Sequence, residues 1–77
     1  MRISKEIFTT CLGNNIRKHR LASGLTVEQL ALNSELTYSQ VSRIELGKIR
    51  TSAFAVYILA KSLNVSPSIL YEITIAK

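Results

Sequence analysis

Few residues of this chain could take part in catalysis. The chain has one cysteine, one histidine, five glutamates and no aspartate. Cys11 and His19 are eight residues apart, about two turns of a helix, which is too far for a nucleophile and its base. These residues supply no set of three or four zinc ligands, and the three isolated glycines form no phosphate-binding loop. The sequence therefore predicts neither an enzyme nor a metal or cofactor site.

Basic side chains offer a different chemistry, the binding of an anion. Ten Lys and Arg against five Glu give a net charge of +5, which favours a polyanionic partner. A basic protein without such a partner is the alternative, because a moderately basic pI is common. The single Cys11 allows no internal disulfide, so we expect a location in the reducing cytoplasm. The longest apolar run, residues 53–60, is too short to cross a bilayer, and no membrane partner is expected.

Two segments carry the pattern of a helix N-terminus. Thr26 is followed three residues later by Gln29, and Thr37 is followed at the same spacing by Gln40. In such a capping box the hydroxyl accepts a hydrogen bond from the N3 backbone amide, and the glutamine side chain accepts one from the cap's own N–H. The two starts leave room for about two turns of helix and a bend between them.

Apolar spacing and end signals predict an all-α chain of five helices. We place helices over residues 5–22, 27–33, 38–46 and 53–63. A fifth helix opens at Ser66-Pro67 and carries Ile69, Leu70 and Ile73. A chain of 77 residues makes one domain of marginal independent stability, so oligomerisation would help it.

The residues from about 12 to 71 resemble one known family. The central motif consists of Gly24-Leu25-Thr26, Glu28-Gln29-Leu30-Ala31, Val41-Ser42-Arg43-Ile44-Glu45 and Gly47-Lys48. The flanking positions are Leu12-Gly13, Ile16-Arg17 and Arg20 before it, and Leu59-Ala60, Leu63, Val65-Ser66 and Leu70-Tyr71 after it. This order is similar to that of the phage-repressor-like (lambda-repressor-like, XRE-type) helix-turn-helix transcription regulators, which include restriction-modification controller proteins and many antitoxins. The resemblance implies a five-helix DNA-binding domain with the helix-turn-helix at helices two and three. Residues 1–9 precede the family's usual start, and they could lengthen the first helix, form an arm or fray.

The resemblance, with the placement of the charges, also implies which residues meet double-stranded DNA. The expected base contacts come from the start of the third helix and are Thr37, Tyr38, Ser39 and Arg43. The expected phosphate contacts are Arg17, Lys18, Thr26, Gln40, Ser42, Lys48 and Arg50. For Ser39 and Ser42 an equal alternative is that a small residue merely lets the helix approach the groove.

Arg20 and Glu45 stand where the family has a largely buried ion pair between the first and third helices. The alternative for Arg20 is a solvated or phosphate-facing charge.

Two positions depart from the family pattern. Val27 stands where a glutamine often contacts phosphate, and Glu35 stands where the turn commonly has glycine. A left-handed residue other than glycine costs about 1 to 2 kcal/mol, so this turn is expected to differ slightly.

The fourth helix has a second apolar face opposite its core stripe. Phe54 and Ile58 lie on it with Tyr57 at the flank, where the family usually has polar residues, and Ile73 and Ile75 make the tail apolar. Either the tail covers this face within one chain, or two chains bury it against each other. We favour a homodimer, because an exposed apolar patch usually marks an interface and a repeated DNA half-site needs a two-fold protein.

These observations favour a sequence-specific transcription regulator that binds a palindromic operator as a homodimer. The alternative is an antitoxin or other interaction module that binds a partner protein through Phe54, Tyr57 and Ile58, with DNA binding secondary. The sequence does not distinguish a repressor from an activator.

Overall fold

Each helix of the computed structural model begins after a serine or threonine that caps it. The structure describes residues 3–73, and within them the helices are α1 (Lys5–Ala22), α2 (Val27–Ser34), α3 (Tyr38–Glu45), α4 (Ala53–Ser62) and α5 (Pro67–Leu70). The capping residues are Ser4, Thr26, Thr37, Ser52 and Ser66. Their side chains accept hydrogen bonds from backbone N–H groups that have no partner inside the helix. The predicted all-α, five-helix fold is confirmed, and the described residues contain no strand.

Both predicted capping boxes are confirmed. The Thr26 hydroxyl accepts from the Gln29 backbone N–H at 3.0 Å, and the Gln29 side chain accepts from the Thr26 N–H at 2.9 Å. The corresponding distances between Thr37 and Gln40 are 3.1 Å and 2.8 Å. Because these bonds are local, they fix the starts of α2 and α3 before any tertiary contact is considered.

The turn between α2 and α3 keeps a left-handed residue although it has no glycine. Glu35 has φ 56° and ψ 36°, and the following Leu36 N–H donates to the Ala31 carbonyl at 3.0 Å. The expectation that this turn would differ because of Glu35 is therefore wrong for the backbone. The left-handed conformation of Glu35 instead costs the folded chain about 1 to 2 kcal/mol.

The core lies where one apolar stripe from each helix meets the others. The buried apolar residues are Leu12, Ile16, Leu30, Ala31, Val41, Ile44, Val56, Leu59, Ala60, Leu63 and Leu70. Each of the five helices contributes to this set, and Leu36 of the turn packs against it half-buried. No helix in the described part of the chain is long and apolar enough to cross a membrane.

α1 and α3 approach each other closely at Gly13. A Cβ on this residue would collide with the carbonyl oxygen of Ile44 and lie 2.8 Å from that of Glu45. Only glycine allows this approach, so Gly13 sets how near the C-terminal end of α3 lies to α1.

A buried ion pair joins the same two helices. Arg20 Nε donates to Glu45 Oε2 at 2.6 Å, and Arg20 Nη2 donates to Glu45 Oε1 at 3.0 Å. Arg20 Nη1 also donates to the Leu25 carbonyl at 2.8 Å. The two side chains are only 10% and 5% exposed. Two parallel hydrogen bonds between a guanidinium and a carboxylate offset the free-energy cost of removing both charges from water. The family resemblance implies the same arrangement.

The predicted start of α1 agrees with the structure, whereas the predicted extent of α5 does not. α1 begins at Lys5, so residues 5–9 lengthen this helix. α5 ends at Leu70, and placing Ile73 on it was wrong. The chain turns after Leu70 because Asn15 Nδ2 donates to the carbonyls of Leu70 and Glu72, at 2.9 Å and 2.7 Å. Ile73 is half-buried, and Ile75 lies outside the described residues.

Replacing Glu45 with alanine should lower the free energy of unfolding by about 3 to 5 kcal/mol, because it leaves the Arg20 guanidinium buried without a counter-charge. Urea unfolding at fixed protein concentration, followed by circular dichroism, measures this. Glu28→Ala removes an exposed glutamate from the first turn of α2 and serves as the matched control, with an expected loss below about 1 kcal/mol. Equal losses in the two variants would contradict the structural role of the ion pair.

Candidate nucleic-acid interface

α3 turns one face to the core and leaves the other open. Val41 and Ile44 are 0% and 4% exposed and form the core side. On the opposite side Tyr38 is 57% exposed, and Ser39 and Arg43 are exposed as well. The side chains expected at DNA bases are therefore accessible to a ligand and are not enclosed by the rest of the molecule.

Arg43 keeps its charge available. Within residues 3–73 the one salt bridge joins Arg20 to Glu45, so no described carboxylate neutralises the Arg43 guanidinium. A guanidinium presents a planar set of donors that suits two parallel hydrogen bonds to one acceptor edge. Ser42 beside it is half-buried, which restricts it more than Ser39.

The capping boxes limit what Thr26, Thr37 and Gln40 can offer to a ligand. Each threonine hydroxyl already accepts a backbone hydrogen bond, and the Gln40 side-chain oxygen accepts from the Thr37 N–H. The remaining capacity is for donation, from the hydroxyl hydrogens and from the Gln40 amide nitrogen. Donors of this kind suit phosphate oxygens and acceptor atoms on bases.

Exposed cations lie on both sides of α3 in the sequence. Arg17 and Lys18 are exposed near the C-terminal end of α1, and Lys48 and Arg50 are exposed in the loop that follows α3. The Lys48 N–H donates to the Arg43 carbonyl at 2.9 Å, so this loop continues directly from α3. Gly47, which takes φ 71° there, ends the helix as its position predicted.

Acidic groups weaken this positive surface only in part. Glu45 is neutralised by Arg20, whereas Glu28 and Glu35 are exposed on α2 and its turn. Val27, at the start of α2, is half-buried and packs against the core. It cannot supply the polar contact that the resemblance implies at this position, whereas Thr26 and Gln29 are exposed hydrogen-bonding side chains at the same helix end.

α4 presents a separate apolar surface. Phe54 is 72% exposed and Tyr57 50% exposed, while Ile58 is half-buried. The Lys61 ammonium lies 5.9 Å from the centre of the Tyr57 ring, a cation–π contact at the edge of this surface. A groove of about 350 Å³ separates Phe54 and Ile58 from the α2–α3 turn. Among the described residues, nothing covers Phe54.

Three structural contributions were missed from the sequence. Asn15 orients the chain after α5, Gly13 permits the α1–α3 approach, and the buried Ser34 hydroxyl donates to that of Ser62 at 2.8 Å, joining α2 to α4. Each is a long-range contact of a polar or small residue. Of the three, only Gly13 could have been noticed in the sequence, because glycine destabilises the middle of a helix and its presence there usually has a packing reason.

Comparison with known proteins places this geometry in a family. The model of the helix-turn-helix family HTH_3 matches residues 16–70. The restriction-modification controller protein C.AhdI from Aeromonas hydrophila is 34% identical, with a TM-score of 0.79, over 80% of this chain and 94% of that one. A tyrosine-to-phenylalanine mutant of the controller protein C.Esp1396I is 28% identical, with a TM-score of 0.78, over 83% of this chain and 81% of that one.

A more distant structure shares the fold alone. It is an HTH_3 family transcriptional regulator from Vibrio cholerae, 19% identical with a TM-score of 0.84, and the similarity spans 88% of this chain and 38% of that one. A comparison with curated proteins finds no significant match. The family match over residues 16–70, together with the controller-protein similarity, shows that the chain belongs to the XRE-type helix-turn-helix family of DNA-binding transcription regulators.

Proposed function

We propose that this protein regulates transcription by binding a palindromic operator as a homodimer, with α3 in the major groove of each half-site. The observation that carries the proposal is the outer face of α3. It presents Tyr38, Ser39 and Arg43 to solvent directly above the buried Val41 and Ile44. A short helix with a polar outer face and a firmly packed inner face is what groove recognition requires.

The base contacts are proposed from the hydrogen-bonding and apolar groups that each side chain offers. Arg43 would donate two hydrogen bonds to guanine O6 and N7, which discriminates against other bases by about 1 to 3 kcal/mol. Tyr38 would pack on a thymine methyl or donate to a phosphate. Thr37 has only its hydroxyl hydrogen left to donate, so it suits an acceptor such as adenine N7. Ser39 either contacts a base or gives the helix room to approach.

The phosphate contacts would lie on either side of the groove. Lys48 and Arg50 follow α3, and Arg17 and Lys18 lie on α1. Thr26, Gln40 and Ser42 add neutral donors. Contacts of this class position the protein on the duplex and supply sequence-independent affinity that falls with salt.

The exposed face of α4 supports a dimer. Phe54, Tyr57 and Ile58 leave an apolar patch in contact with water, and burying it against a second copy would add stability to a small domain. A two-fold dimer would place two α3 helices in successive major grooves about 34 Å apart. Ile73 and Ile75 are proposed to extend this interface. A DNA-bound role also agrees with the cytoplasmic location expected from the single cysteine.

The same apolar face favours a second candidate, an interaction module that binds a partner protein such as a toxin. Val27 and Glu35, which weaken the DNA-facing side of α2, point in this direction. Selection of bound sequences from random duplex DNA separates the two functions. An enriched inverted repeat supports the regulator, whereas no enrichment together with a stable complex with a co-encoded protein supports the interaction module.

Arg43→Ala should relax sequence preference at one base pair per half-site, because the exposed guanidinium is the best candidate for a bidentate base contact. Binding to an operator and to its single-base variants, measured by fluorescence anisotropy, should show discrimination at that position falling by about 1 to 3 kcal/mol. Nonspecific binding should change little. A uniform loss of affinity on all sequences would instead assign Arg43 to a phosphate.

Lys48→Ala and Arg50→Ala, unlike Arg43→Ala, should lower affinity without changing sequence preference. Each should weaken binding to specific and random duplexes equally and reduce the slope of log K against log salt by about 1 per half-site, which is about 2 for the dimer. Titrations at several salt concentrations measure the slope. Lys61→Ala, which changes a cation on the far α4 surface beside Tyr57, is the control. A sequence-dependent effect of either loop variant would contradict its phosphate role.

Phe54→Ser should shift the protein from dimer to monomer, because it removes the most exposed aromatic ring of the α4 face. Sedimentation velocity over a range of concentrations measures the change, and affinity for a palindrome should fall more than affinity for a half-site. Leu32→Ser alters a leucine that is 79% exposed on α2 and should leave the dimer intact. An unchanged dimer in Phe54→Ser would move the interface elsewhere.

A further inference from the structure

The first two turns of α1 pack beside the loop that follows α3. A Cβ on Gly47 would lie 3.0 Å from both Cα and Oγ1 of Thr10, so the loop and helix backbones are almost in contact here. A cleft of about 180 Å³ lies next to this contact. Its walls include Lys5 and Thr9 from α1 and Lys48 and Arg50 from the loop.

Lys5 has a fixed place at the edge of this cleft. It is the first residue of α1, and the Ser4 hydroxyl that caps the helix accepts from the Ile7 N–H at 3.1 Å. Lys5 and Arg50 also line a second cleft of about 380 Å³ whose floor includes Phe8 and Leu12. Lys5 and Arg50 therefore line both clefts.

The charges of this surface are not balanced within the described chain. Lys5, Lys48 and Arg50 are exposed and form no salt bridge with a residue in the range 3–73, and Glu6 is the one carboxylate on the smaller cleft. Three cations against the one Glu6 carboxylate leave this surface with an excess of positive charge, which attracts an anion. The arrangement thus favours a ligand with several negative charges.

The loop's connection to α3 identifies that ligand. Lys48 is hydrogen-bonded through its N–H to the Arg43 carbonyl, so a duplex contacted by Arg43 would have its backbone close to the loop. The anions nearest to Lys5 would then be phosphates just outside the recognised groove. The family match begins at residue 16, so it assigns no role to Lys5.

We infer that Lys5 contacts backbone phosphates of the bound duplex next to those contacted by Lys48 and Arg50, so that the extended start of α1 lengthens the footprint of each half-site. This inference rests on the proposed DNA-binding function. It also gives Lys5 a role beyond lengthening a helix.

The experiment compares Lys5→Ala with wild type on a long operator duplex, on a random duplex, and on an operator shortened to remove the outer phosphates. On both long duplexes the variant should bind more weakly, and its salt slope should be smaller by about 1.8, because the dimer carries two copies of Lys5 and each contributes about 0.9. The ratio of its Kd to that of wild type should therefore shrink by about 12-fold between 50 and 200 mM salt. On the shortened operator the two proteins should bind equally, because the phosphates in question are absent.

Two further variants test the charge itself. Lys5→Arg should restore the wild-type slope, and Glu6→Gln should tighten binding, since it removes the carboxylate on the cleft. Lys61→Ala is the control, and because Lys61 lies beside Tyr57 of the proposed dimer face, sedimentation velocity first establishes that it dimerises like wild type. It should then change the slope by much less than Lys5→Ala. Thermal unfolding of Lys5→Ala should match wild type, because Lys5 is exposed.

The possible failures are distinguishable. If wild type binds the operator and Arg43→Ala loses base discrimination, but Lys5→Ala behaves like Lys61→Ala, this inference alone is overturned. A Lys5→Ala defect that persists on the shortened operator also overturns it, because the defect then arises elsewhere. If wild type binds no duplex under any condition, the proposed function fails and the inference fails with it.

Discussion

The buried ion pair between Arg20 and Glu45 is the interaction on which the rest of the structure depends. Its two side chains are almost out of water, and charges in that position are tolerated only while their geometry is kept. The pair joins α1 to the C-terminal end of α3, where Gly13 already lets the two backbones approach. α3 therefore cannot turn about its own axis without separating the charges or opening the contact at Gly13.

A fixed α3 determines which charges reach the surface. Glu45 would otherwise place a carboxylate two residues from Arg43, but its pairing with Arg20 leaves no net charge at that point. The exposed cations of α1 and of the loop after α3 are then opposed by Glu6 in the first turn of α1 and by Glu28 and Glu35 on the α2 side. A surface with that balance suits a polyanion approached along α3 and the loop, and it agrees with membership of a DNA-binding family.

The small size of the domain explains why α4 has two apolar faces. One stripe, from Val56 to Leu63, fills the core, and the other leaves Phe54 and Tyr57 in solvent. A 77-residue chain buries a limited apolar area by itself. A second copy on this face would add buried area and, in the proposed function, set the spacing of the two recognition helices. Stability and operator geometry would then depend on the same contact.

The sequence by itself determined the presence of five helices and the caps of α2, α3 and α5, because capping bonds and apolar spacing are local and repeat within a few residues. The bounds of α1 to α4 agree to within one residue. The residues expected on the DNA side of α3 and the Arg20–Glu45 pair followed from the family resemblance. Only the tertiary structure decided the contacts between residues far apart in sequence. Asn15 ends α5 three residues before Ile73, Ser34 bonds to Ser62, Glu35 takes the left-handed turn, and Lys5 lies beside Arg50. Such contacts depend on how the helices pack against one another, and the spacing of residues within one helix carries no information about that packing.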